Sequence, residues 1–150
     1  MNTKPRYGFS IDSDLTVEEA ESRVRELLKE EGFGILTEID VKRTLKDKLN
    51  VDFRPYKILG ACNPQLAHRA LQAEPGIGLL LPCNVVLEAV PAGGSRISFL
   101  DPEIALGLVG NPELEPIAKD ASQRLRRVAD RLSGAASFSG LAPSNEQGGE

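Results

Sequence analysis

The chain has only two cysteines, and each stands directly before an asparagine in a Cys-Asn pair that adjoins a proline: Cys62-Asn63-Pro64 and Pro82-Cys83-Asn84. A thiol at the mouth of a helix can do chemistry, because the helix dipole and the unpaired first-turn N–H groups lower its pKa. Cys62 has that position if Asn63-Pro64 opens a helix: asparagine accepts from an orphan N–H, and proline fits the first helical position. Cys83 follows an apolar run, Ile77 to Leu81, and adjoins Pro82, a residue that interrupts strand pairing and can re-aim its neighbours. If the two strands are neighbours the sulfurs could meet, as a redox pair, a nucleophile or metal ligands. The competing reading is two small buried hydrophobes, the commonest fate of a free cysteine.

His68 lies four residues after Pro64, and helical side chains lean toward the helix N-terminus, hence toward Cys62. Cys62, Cys83 and His68 are therefore the candidate metal set, one short of a closed tetrahedral site and without a CxxC or HxxxH to strengthen it. A boundary histidine with no ligand role is the plainer alternative. Asn63 reads first as a cap. Asn84 must satisfy up to four hydrogen-bonding positions if buried, so it either fixes local backbone or faces a ligand. Arg54 in Asp52-Phe53-Arg54-Pro55-Tyr56-Lys57 could receive an anion, or pair with an acid such as Asp52. Glu38 and Asp40 have strand spacing that puts both carboxylates on one face, although Asp40 also suits a helix cap.

These residues need elements to hold them. Tyr7, Phe9 and Ile11 alternate as in a half-buried strand. Thr16 with Glu19 matches a capping box for a helix with the stripe Val17, Ala20, Val24, Leu27 and Leu28, stopped at Gly32. Phe33 to Ile39 reads as a second strand returning beside the first. Asp40 caps a short amphipathic helix carrying Val41, Leu45 and Leu49. Tyr56 to Cys62 is a third strand, followed by the Asn63-Pro64 helix, which stops at Pro75-Gly76. Ile77 to Leu81 and Val85 to Val90 read as strand interrupted by a bulge or edge position at Pro82-Cys83, and Pro91 to Ser95 as a hairpin turn into Arg96 to Leu100. Asp101-Pro102 opens a short helical turn and Asn111-Pro112 the last helix. That helix places Glu113 and Glu115 early and Arg124, Arg126, Arg127 and Arg131 late, in the order the helix dipole favours.

The segments GFGILTEID, VDFRPYKILGACNP, LAHRAL and GLLLPCNVV, in that order, resemble the domain of unknown function 302 family over roughly Tyr7 to Leu132. The resemblance implies an α+β fold in which helices pack on one face of an antiparallel sheet, similar to the TATA-binding-protein-like group. It implies no activity, and fold analogy alone does not choose between DNA binding and ligand binding.

Bulk properties narrow the function classes. A net charge of −4 with acids and bases interspersed leaves no basic stripe for nucleic acid. No apolar run reaches the roughly 20 residues that span a bilayer, and the first residues lack the apolar core of a signal peptide. These features point to the cytoplasm, where the two cysteines are expected to be reduced. The expected organisation is one α+β domain over residues 1–133 and a small, polar tail, disordered by composition, over 134–150. No nucleotide-binding, zinc-protease or nucleophile-elbow motif is present, and no cofactor is indicated. The reading favoured by the residues is a non-enzymatic domain that binds a small ligand or partner at the strand ends, lined by Cys62, Asn63, Cys83 and Asn84 with His68 at the edge. A thiol-dependent redox or metal-handling protein and a homodimer formed through an exposed sheet edge are the alternatives.

Overall fold

Local chemistry sets the helix starts. In the computed structural model, which describes residues 6–137, the Glu19 N–H donates to Thr16 Oγ1 at 3.1 Å and the Thr16 N–H donates to Glu19 Oε1 at 2.9 Å. This closes the capping box of α1 (Val17–Glu30), whose Ala20, Val24, Leu27 and Leu28 are fully buried. Gly32 ends it with φ +87°, a left-handed conformation that side chains resist. Asp40 caps α2 (Val41–Leu49), Asn63 caps α3 (Pro64–Ala73) and Asp101 caps α4 (Pro102–Gly107), each through its side-chain oxygen. A 3₁₀ turn at Pro112–Leu114 then leads into α5 (Glu115–Ser137).

Five strands, β1 (Gly8–Ser13), β2 (Gly34–Asp40), β3 (Tyr56–Cys62), β4 (Cys83–Ala89) and β5 (Ser95–Leu100), form one antiparallel sheet in the order β1-β5-β4-β3-β2. The fold class is α+β, as expected, but three expectations about strands fail. β2 does not return beside β1; the two occupy opposite edges, and β5 takes the place next to β1, with Phe9 and Phe99 stacked 5.3 Å apart. Ile77 to Leu81 is not a strand. Pro75–Leu80 is a 3₁₀ segment that buries Ile77, so a short apolar run has taken the helical option. Pro82 marks neither an edge nor a bulge, since β4 lies inside the sheet and begins at Cys83, just after the proline and its cis peptide bond. There the missing N–H removes no ladder bond. The register shift sits instead in β2, between Ile35 and Thr37.

Strand alternation divides the sheet into two unlike faces. One carries Phe9, Ile11, Leu59, Ala61, Val85, Leu87, Ile97 and Phe99, and packs on α1 and the later turns of α5. A second core joins α3, the 3₁₀ segment and α4 to the early turns of α5 through Leu66, Ala70, Ile77, Leu106, Leu114 and Ile117. The other sheet face carries no residue of either core. α2, which fills the connection between Asp40 and Tyr56, buries none of its own residues. α5 continues to Ser137, past the boundary expected at 133, and residues 138–150 of the expected tail lie outside the described residues. Its arginines do not merely follow the helix dipole. Arg127 pairs with Glu31 at 2.8 Å and Arg131 with Glu30, tying α5 to the end of α1, while Arg126 pairs with Asp101 at 2.9 Å. No described helix is long and apolar enough to cross a membrane.

Candidate functional site

The ladder between β3 and β4 pairs Ala61 with Cys83, which sets Cys62 one residue beyond that pair at the end of β3. Both cysteines line one cleft, together with Phe33, Leu66, Ala67, Leu81, Pro82 and Ile117. The cleft lies at the seam between the two cores and opens to the surface. Its cavity measures about 40 Å³, room for a few atoms. Cys62 and Cys83 are both free and half-buried.

The chemistry of these thiols is set by desolvation. Burial raises the pKa of Cys83 to about 11, with the neighbouring Cys62 adding to the shift, and burial raises that of Cys62 as well. The lowering expected for a thiol before a helix does not occur at Cys62, where desolvation by burial raises the pKa instead. The Leu66 N–H donates to Asn63 Oδ1 at 3.2 Å and the Ala67 N–H to the Asn63 carbonyl at 2.8 Å. At neutral pH both sulfurs are protonated, poor nucleophiles and poor metal ligands without a partner to take the proton.

Asn63 is buried and structural. Besides capping α3, its Nδ2 donates to the Glu31 carbonyl at 3.3 Å, an oxygen that also accepts from Arg124 Nη1 at 2.8 Å. It thus ties the end of α1 to the start of α3. His68 is exposed on α3 and is not among the residues lining the cleft. Among the described residues no group of three or more His, Cys, Asp and Glu side chains could hold a metal ion. Asn84 follows Cys83 but, by alternation, points to the opposite face of the sheet, where it is exposed opposite Gly60. Arg54 is far from the cysteines along β3. It donates to Glu88 Oε1 through Nε at 3.2 Å and Nη2 at 2.7 Å, and stacks over Phe53 and Tyr56. Its acid is therefore Glu88 and not Asp52, which pairs with Lys46. Glu38 is held by Lys57, which chiefly lowers its pKa, and by Arg25, and Asp40 accepts from the Arg43 N–H as a cap.

The structure thus brings together Cys62, Asn63 and Cys83, and leaves His68, Asn84 and Arg54 elsewhere. Sequence reasoning missed the walls. Ala67 was in view as part of the helix, but Leu106 and Ile117 come from distant segments that no local pattern connects to the cysteines.

The family model described as "Domain of unknown function DUF302" matches residues 9–132. The chain belongs to this family. Among solved structures, the DUF302 domain described above is similar to the crystal structure of an uncharacterised conserved DUF302 protein from Bacillus stearothermophilus. The two share 34% sequence identity and a TM-score of 0.79, over 85% of this chain and 99% of that one. No curated protein matches the sequence. The shared DUF302 architecture establishes the fold and leaves the activity to be argued from the cleft.

Proposed function

We propose that this DUF302 domain is a non-enzymatic cytoplasmic binding domain that takes an apolar group in the cleft at the ends of β3 and β4. The group is the tip of a small ligand or an anchor side chain of a partner. The observation that carries this reading is an open, apolar cleft at the seam of two cores whose two thiols are both raised in pKa. Protonated sulfur is a soft, polarisable lining for an apolar guest. A cavity of about 40 Å³ takes one or two methyl-sized groups. At roughly 0.8 kcal/mol per buried CH₂ that is an anchor worth about 1–2 kcal/mol, so the rest of the ligand must bind outside it. Whole nucleotides and flavins do not fit.

The thiol-redox alternative is disfavoured by the same electrostatics, since exchange begins with a thiolate. Native intact mass spectrometry of untagged protein, purified with and without reductant, tests the choice. A bound organic adduct on reduced protein that is absent from Ala67→Phe, which fills the cleft mouth, is the expected result. A stoichiometric metal, or an intramolecular disulfide that forms and reverses cleanly, would overturn the proposal.

A further inference from the structure

The net charge of the chain is concentrated in one stretch. Residues 101–120 hold five acids against the single Lys119, a net of −4 that equals the charge of the whole chain, so the rest balances. Asp101 and Asp120 are paired, with Arg126 and Arg124 of α5. Glu103, Glu113 and Glu115 are not: among the described residues their carboxylates meet no cation and no hydrogen-bond donor. The same stretch forms an open groove of about 450 Å³, mainly apolar in its walls. It is lined by Glu103, Leu106 and Gly107 of α4, and by Leu114, Glu115 and Lys119 from the 3₁₀ turn and the start of α5. This corner is built in advance of any guest. Asn111 Oδ1 accepts from the Glu113 N–H at 2.9 Å, and Asn111 Nδ2 donates to the Ala73 carbonyl at 3.1 Å, which fixes the turn against the end of α3. Gly107 leaves its part of the wall bare, since a Cβ there would meet nothing within 4 Å.

Apolar surface accompanies the charge. Leu79 and Leu108 are the most exposed large apolar side chains among the described residues, at 92% and 78%, and Ile104 is 45% exposed. Leu108 caps α4 one turn past Ile104, and the 3₁₀ segment that carries Leu79 touches α4. The helix dipole favours acids in the first turns of α4 and α5, but it gives no reason for leucines in water beside them. A surface with both properties suits a ligand that brings apolar side chains and positive charge together. We infer that α4 and its groove dock an amphipathic helix of a partner protein, with its apolar anchors in the groove and against Ile104 and Leu108, and Lys or Arg side chains flanking them. Glu103, Glu113 and Glu115 receive those cations at the rim, where they steer encounter and set orientation more than they add affinity. Nucleic acid and anionic lipid are repelled by the same charge. The groove shares only Leu106 with the cysteine cleft, so the inference stands apart from the guest proposed there.

Fluorescence anisotropy tests it, with the full chain titrated into a labelled peptide of about 15 residues, leucines at helical spacing and lysines elsewhere. Two controls carry Glu in place of Lys, or Ala in place of Leu, and circular dichroism confirms that each protein variant is folded. The Leu–Lys peptide is expected to saturate one site, and both controls to bind at least about tenfold more weakly. Gly107→Phe fills the groove from an open position and should weaken binding at least about tenfold. Lys119→Glu removes the one cation that lines the groove; it should tighten binding about two- to fivefold, a gain that disappears in about 0.5 M salt. Equal binding of either control peptide overturns the proposal, the Ala control because it would reduce the site to unspecific charge. So does unchanged affinity in Gly107→Phe, or no saturable binding at all. A dimer in sedimentation equilibrium that Gly107→Phe dissolves also overturns it, since the groove would then hold a second copy of the chain.

Discussion

Cys83 has its sulfur against apolar walls, and the energy that opposes its ionisation also links it to folding. In the unfolded chain the thiol titrates near its ordinary value of 9, and in the folded chain near 11. Between those values the folded state holds more protons, so stability is complete below about pH 9 and falls as pH rises toward 11, by on the order of 2 kcal/mol for this group. Alkylation by iodoacetamide should accordingly be slow at pH 7.5 for both cysteines and accelerate steeply above pH 9. Fast labelling of either thiol at neutral pH would contradict the desolvated picture. At this scale the sequence was half legible. That Asn63 caps a helix follows from Asn-Pro alone, whereas its second bond, to the Glu31 carbonyl, depends on the packing of α1 against α3. The separation of Cys83 from Asn84 onto opposite faces follows from strand alternation, but only once Cys83 is known to begin a strand and not to end one.

Among the elements, β2 shows what fixes an edge. Its register against β3 shifts between Ile35 and Thr37, and past the shift Thr37 lies on Gly60. A Cβ at Gly60 would overlap Thr37 Oγ1 and come within 2.7 Å of Pro82 Cγ, so this glycine is where β2 and the entry to β4 close on β3. Gly60→Ala should cost about 1–3 kcal/mol in urea unfolding, since the proline ring cannot swing aside. An unchanged midpoint would mean that the edge is looser than described. Helix starts were readable because a cap is a contact between residues two or three apart. Strand order was not, because the pairing of β1 with β5 joins Gly8 to Leu100 across most of the chain. The 3₁₀ segment at Pro75–Leu80 was misread because Ile77, Leu79 and Leu81 fit a strand's alternation while Ile77 and Leu80 fit a helical turn over the same short run, and the second core that decides it is assembled from distant helices.

On the scale of the whole molecule, α5 is the element common to both cores: Leu125, Val128 and Leu132 belong to one, Ile117, Ala118 and Ala121 to the other. The cleft lies where those two cores meet, and Asn63 and Arg124 brace the same seam through the Glu31 carbonyl. A guest there would touch α3, the entry to β4 and α5 together. The central claim is that this seam accepts an apolar group. Its most direct test is an NMR titration of isotope-labelled protein with a short straight-chain alcohol such as butanol, in wild type and in Ala67→Phe. Saturable amide shifts confined to Ala61–Asn63, Ala67, Leu81–Cys83 and the facing turn of α5, and lost in Ala67→Phe, are predicted. No saturable shift at these residues, or shifts that Ala67→Phe leaves unchanged, would contradict the account.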